Sequence, residues 1–147
     1  MKKIAIGADH AGFEYKQIII ERLFDLGYDV EDMGASSSES VDYPDHVHPL
    51  ASKVNDGDIP FGILICGTGN GVAMTANKYS KVRCGLCWNP EIAKLIRQHN
   101  NANVLAIPAR FISTEIATEI VELFLSTPFE GGRHQRRVDK ITNGIAC

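Results

Sequence analysis

No run of apolar residues in this 147-residue chain approaches the roughly 20 needed to cross a bilayer, so no membrane span is expected. Basic residues are not in excess either. Lys and Arg number 15 against 18 Asp and Glu, a net charge of −3, so no overall field draws the protein to nucleic acid or to an anionic membrane, and neither partner is expected. The start, Met1-Lys2-Lys3-Ile4, passes straight into a strand-like stretch without the apolar segment and cleavage site of a secretion signal, which points to a cytoplasmic protein. Cysteine is sparse: Cys66, Cys84, Cys87 and Cys147. In a reducing compartment these are expected as thiols rather than disulfides. Cys84 and Cys87 form a C-x-x-C, but the second pair of a structural zinc site is missing. The pair is therefore read as buried thiols beside a strand end, with a zinc protein using Cys84, Cys87 and His46 as an alternative. His46 and His48 form an H-x-H without further spaced ligands, and no metal is expected there. No internal repeat or low-complexity segment is present.

Apolar residues make up 44 % of the chain and charged residues 22 %, the profile of a globular protein, and the length suits one domain over residues 1–147. Strand-like and helical stretches alternate. Strands are expected at Lys3–Gly7, Tyr28–Glu31, Phe61–Cys66, Lys81–Trp88 and Asn103–Ile107. Helices are expected over Phe13–Leu26, Pro44–Val54, Val72–Lys78, Pro90–His99, from a Ser113 cap to Ser126, and over Arg133–Asn143. On the first helix, Phe13, Ile18, Ile19, Leu23 and Leu26 fall roughly on one face, and Gly27 ends it. Phe61-Gly-Ile-Leu-Ile-Cys66 is apolar on both faces, as in a parallel sheet. The alternation predicts an α/β, Rossmann-like three-layer sandwich with a five-stranded parallel sheet and an extra C-terminal helix. Such sheets bind ligands at the carboxyl ends of their strands. Asp9-His10, Cys66 to Gly71, His99-Asn100 and Arg110 are expected along that one edge.

The loop Gly67-Thr-Gly-Asn-Gly71 has glycine at alternate positions, which lets backbone approach a ligand closely, and it opens a helix. It is not a dinucleotide fingerprint, because the third glycine of G-x-G-x-x-G would fall on Val72 or Met74. Nor is Gly7 to Gly12 a P-loop, since Phe13-Glu14 follows it and Asp9 lies inside it. Cys66 directly precedes the glycine loop, a position that favours thiolate, and with no Cys-His protease signature around it the thiol is read as a base. Asp9 and His10 are read as ligand contacts and His99, beside Asn100, as an acid–base group. Arg133 and Arg137 share one face of the last helix at its N-terminus, where guanidinium groups suit a phosphate. Gly131 and Gly132 before them suggest an arm that bends.

Taken together, Gly7-Ala-Asp-His-Ala-Gly12, Asp42-Tyr-Pro44, Cys66-Gly-Thr-Gly-Asn-Gly71, His99-Asn100, Arg110 and Gly132-Arg-His-Gln-Arg-Arg137 resemble the B-type ribose-5-phosphate isomerase family, which also holds subunits of galactose-6-phosphate isomerase. The resemblance covers essentially the whole chain. It implies an aldose–ketose isomerase of ribose 5-phosphate and ribulose 5-phosphate working without cofactor or metal, as a homodimer or tetramer whose active sites lie between subunits. It implies Cys66 as catalytic base, and Thr68 with His99 as the ring-opening pair. Gly67, Gly69, Asn70 and Gly71 would hold the enediolate. Asp9, His10, Tyr43, Asn100, Arg110, Arg133, Arg137 and, in addition, His134 would contact the substrate and its phosphate. One branch of the family uses a carboxylate instead of the cysteine, and Val72 to Asn77 contain none. The alternatives are a hexose-phosphate isomerase acting on allose or galactose 6-phosphate and, from another class, a flavodoxin-like module for a nucleotide or flavin.

Overall fold

Phe61–Cys66 forms strand β3 at the middle of a five-stranded, all-parallel sheet, which is why both its faces are apolar. The structure is a computed structural model describing residues 2–145, so Met1, Ala146 and Cys147 lie outside the described residues. β3 is flanked by β1 (Lys3–Ala8) and β5 (Val104–Pro108), with β2 (Asp29–Asp32) and β4 (Cys84–Leu86) on the edges, in the order β2-β1-β3-β5-β4. The direction of winding reverses between β1 and β3, which opens a crevice at their carboxyl ends.

Helices α1 (Phe13–Asp25), α4 (Pro90–Asn100) and α5 (Thr114–Ser126) cover one face, over a core that includes Ile4, Ile6, Ile63, Ile65 and Phe124. Helices α2 (Tyr43–Asn55) and α3 (Asn70–Ala76) cover the other, over Ala5, Leu50, Leu64, Val72 and Ala106. Helix α6 (Arg133–Asn143) packs on α4 outside these layers. This is the expected three-layer sandwich with its extra terminal helix.

Two local expectations need correction. The fourth strand was expected over Lys81–Trp88 but spans only Cys84–Leu86. Upstream of it, side-chain amides take the backbone groups that a longer ladder would use. Asn103 accepts from Arg83 N–H at 2.8 Å and donates to the Lys81 carbonyl at 2.8 Å. On α1, Ile19 and Leu23 are buried, but Ile18 and Leu26 are 41 % and 43 % exposed. The inward position one turn before Ile19 is Lys16, fully buried, with its ammonium donating to both carboxylate oxygens of Asp32 at 2.7 and 2.6 Å. A lysine reads as solvated in sequence, and only the bidentate carboxylate makes its burial tolerable.

The C-x-x-C does not converge. Cys84 packs with the α2/α3 core and Cys87 with the opposite one, so the two thiols face opposite sides of the sheet. Burial pushes both thiols up, Cys87 to about 12, which leaves them protonated and poor metal ligands. Among the described residues, neither the H-x-H nor Cys84, Cys87 and His46 gathers into a cluster with metal-ligand spacing.

Candidate active site

The crevice between β1 and β3 gathers most of the expected residues. Asp9 follows β1. Its N–H donates to the Ile65 carbonyl at 3.2 Å, and its buried carboxylate caps the 3-10 turn His10–Gly12 by accepting from Gly12 N–H at 3.1 Å. That turn lies so close to β3 that a Cβ on Gly12 would sit 2.7 Å from the Ile65 carbonyl oxygen. His10 accepts at Nδ1 from Val41 N–H at 3.3 Å, which ties the polar loop before α2 to the site.

Cys66 ends β3 with its sulfur 3.1 Å from the N–H of Gly69. Gly69 takes φ 75°, a left-handed conformation that strains any other side chain, and a Cβ there would also strike Leu86. Thr68 is exposed, and its hydroxyl accepts from Asn70 N–H at 3.2 Å. Among the described residues, the N–H groups of Thr68, Gly71 and Val72 have no acceptor. The loop therefore presents unpaired donors next to a thiol. Tyr43 lies against Gly71, where a Cβ would sit 2.5 Å from its ring, and the Arg110 side chain lies over Gly67. Arg110 is placed by its N–H to the Gly67 carbonyl at 3.0 Å. Each of Asp9, His10, Tyr43, Cys66 to Gly71 and Arg110 thus sits at one edge of the sheet.

His99 and Asn100 do not. They were expected on this same edge, but helices of a parallel α/β sheet return antiparallel to their strands. Helix α4 begins at Pro90 after the carboxyl end of β4 and ends at Asn100 before the amino end of β5. The helix carries His99 to the far edge, about 15 Å along its axis. There a second cluster forms. The His134 ring stacks on His99 with centroids 4.4 Å apart and planes 15° from parallel. Gly131 and Gly132, at φ 68° and 55°, make the expected bend that brings α6 and its exposed Arg133 and Arg137 onto α4. Among the described residues, no hydrogen bond, ion pair or ring contact joins this cluster to Cys66 or its loop.

Two residues of the second cluster escaped the sequence reading. Arg97, buried at the end of α4, donates to the Thr127 carbonyl at 3.2 Å and the Ala102 carbonyl at 2.6 Å, and its guanidinium lies over Phe61 and Phe124. It pins the segment after α5 to the end of α4. A basic residue in a last helical turn reads as a solvated cap, so nothing in the sequence signalled its burial. Glu130 is the other, with an oxygen 3.8 Å from His134 Nε2. Donor atoms of His99, Glu130 and His134 all lie within 4.8 Å of one another, a spacing a metal ion could use. Two near-parallel rings and the neighbouring positive charge of Arg133 and Arg137 suit an anion better. The imidazole of His134 is held below its ordinary value, first by burial and then by His99 and Arg133, with Glu130 opposing and Arg137 adding to the depression.

A thiol and a glycine loop at the switch point of a parallel sheet, with histidines and arginines on the other edge, define an α/β protein built to hold a small anionic ligand. The chain belongs to the ribose/galactose isomerase family, whose pattern matches residues 4–141. It is 47 % identical over 142 residues to ribose-5-phosphate isomerase B of Escherichia coli (strain K12), a match covering 97 % of this chain and 95 % of that protein. Among solved structures, a ribose 5-phosphate isomerase from Thermotoga maritima superimposes with a TM-score of 0.94 at 49 % identity, covering 97 % of this chain and 98 % of that one. Ribose-5-phosphate isomerase B from Mycoplasma genitalium with bound ribulose 5-phosphate superimposes with a TM-score of 0.92 at 45 % identity, covering 96 % and 94 %. Family membership sets aside the nucleotide- or flavin-binding module. No helix of the described residues is long and apolar enough to cross a membrane.

Proposed function

We propose that this chain is an aldose–ketose isomerase that interconverts ribose 5-phosphate and ribulose 5-phosphate, acting as one domain and needing no cofactor. The observation that carries this reading is the Cys66 sulfur beside a loop of unpaired N–H donors at the switch point of the sheet. The names of the E. coli and M. genitalium relatives support the pentose substrate over a hexose phosphate.

The chemistry assigns each group a task. His99 with Thr68 moves the proton of the anomeric hydroxyl to the ring oxygen, which opens the furanose. Cys66 as thiolate takes the proton from C2, and negative charge develops on O1. The loop donors are already aimed where that charge appears, so they need no reorganisation. The proton then goes to C1 and the O2 proton passes to O1, so atoms balance without a redox partner. Asp9, His10, Tyr43 and Asn100 position the sugar. Arg110, Arg133, Arg137 and His134 hold the phosphate, and the binding energy of that remote group orients the reacting carbon.

Thr68 and His99 occupy opposite edges of one chain, so the ring-opening pair requires two copies. A two-fold dimer that sets the carboxyl edge of one protomer against the amino edge of the other gives two equivalent sites. The test of the substrate is an assay of ribose 5-phosphate, allose 6-phosphate and galactose 6-phosphate, each followed by appearance of its ketose. The expected result is a preference for ribose 5-phosphate in kcat/KM. A preference for either hexose phosphate overturns the pentose reading, and no turnover of any of the three overturns the isomerase.

The phosphate clamp makes its own prediction. Arg137→Ala is expected to raise KM for ribose 5-phosphate about tenfold to a hundredfold, the loss of one charge-assisted contact. Turnover of unphosphorylated ribose should change little. Equal losses on the two sugars would make Arg137 a structural residue.

A further inference from the structure

We infer that Glu130 is a positioning residue for the acid–base cluster, holding His134 and, through the ring stack, His99. Its place has two independent supports. The backbone N–H of Glu130 donates to the Gln98 carbonyl at 3.1 Å, which ties the segment before α6 to the residue next to His99. Its carboxylate reaches His134 Nε2 at 3.8 Å, while His134 N–H donates to the Gly131 carbonyl at 3.0 Å and its ring lies on His99.

The charges explain why a carboxylate stands there. The groups acting on His134 are His99 from α4, Arg133 and Arg137 from its own helix, and Glu130 from the preceding segment. Three of these oppose a proton on the imidazole, and burial opposes it as well. Glu130 is the one that favours it. Two stacked imidazoles repel each other when both are charged, so a cluster that must take up and release a proton near two guanidinium groups needs a compensating anion. The carboxylate is half exposed and remains free to accept from either ring while the backbone tie keeps it in place.

The inference rests on the proposed role of His99 for its kinetic consequence but not for its structural one, so the test reads both. Glu130→Gln keeps the size and the backbone hydrogen bond and removes the charge, and Glu130→Asp keeps the charge on a shorter arm. Histidine ring protons are titrated by NMR in the free protein, and kcat is measured against pH on ribose 5-phosphate. In Glu130→Gln the His134 midpoint is expected to fall by roughly three-quarters of a pH unit, the size of a charge about 4 Å away in water-like surroundings. The limb of the kcat profile belonging to the imidazole pair should move in the same direction. The kcat should fall about tenfold, with a smaller change in KM through the phosphate contact of His134, and Glu130→Asp should recover most of the lost turnover. An unshifted midpoint, or a shifted midpoint with an unchanged rate profile, overturns the inference. Full turnover in His99→Asn is a separate result, which would overturn the reading of His99 itself.

Discussion

Cys66→Ala is expected to lower kcat on ribose 5-phosphate by at least about a hundredfold, the low end of what a positioned general base contributes. Substrate binding should remain measurable, because Arg133, Arg137 and His134, three of the four groups proposed to hold the phosphate, belong to the other edge of the chain. The fold should survive, since Cys66 ends β3 and its backbone bonds to the neighbouring segments are kept. The Ala109 N–H, for example, donates to the Cys66 carbonyl at 2.9 Å. What the variant loses is the sulfur that accepts from Gly69 N–H. Cys66→Ser separates the two effects, because a hydroxyl can accept that bond but is a far weaker acid than a thiol at neutral pH. Steady-state rates and substrate binding by calorimetry on both variants decide the matter. Near-normal turnover in Cys66→Ala would remove the thiol from the chemistry, and loss of binding together with turnover would make it a structural residue.

Co-expression of Cys66→Ala with His99→Asn is expected to restore activity that neither variant has alone. The sheet edges supply the reason. Cys66 stands at the carboxyl end of β3 and His99 at the end of a helix running back to the amino edge, so a site using both draws them from two protomers. Each homodimer of a variant carries the same defect at both sites. In the mixed dimer one site collects both defects and the other collects neither. With random pairing half the dimers are mixed and half their sites intact, so roughly a quarter of wild-type activity returns. Purified mixed dimer with no activity above its parents would place both residues in one chain, or remove one of them from the chemistry. A chain that sediments as a monomer under assay conditions while turning over substrate would refute the shared site directly.

Much of the carboxyl-edge site was legible in advance because its signals are local. A glycine loop directly after a strand constrains the backbone within a few residues, and the Cys66–Gly69 hydrogen bond spans only that turn. Asp9 was legible as a residue of the crevice. Its capping of the His10–Gly12 turn came only with the structure. The bounds of α6, Arg133–Asn143, were readable because two glycines precede it and its amphipathic spacing is regular. The fourth strand was overextended because its shortening depends on side-chain amides of Asn77 and Asn103, which are distant in sequence or belong to another element. The burial of Lys16 and Arg97 had no signal along the chain, because their partners, Asp32 in one case and the Thr127 and Ala102 carbonyls in the other, become neighbours only on folding.

The sequence by itself determined the layer architecture, the place of a thiol directly before a glycine loop, and the basic last helix. Periodicity, turn chemistry and short-range motifs are set by neighbours along the chain and need no fold to be read. The tertiary structure alone decided which groups share an edge. His99 and Asn100 end a helix rather than follow a strand, and the antiparallel return of that helix puts them opposite Cys66. It also decided that Cys84 and Cys87 face opposite cores, and that Glu130 meets His134 against His99. Each of these depends on the direction in which an element crosses the sheet or on contacts between elements, and that geometry is absent from residue spacing.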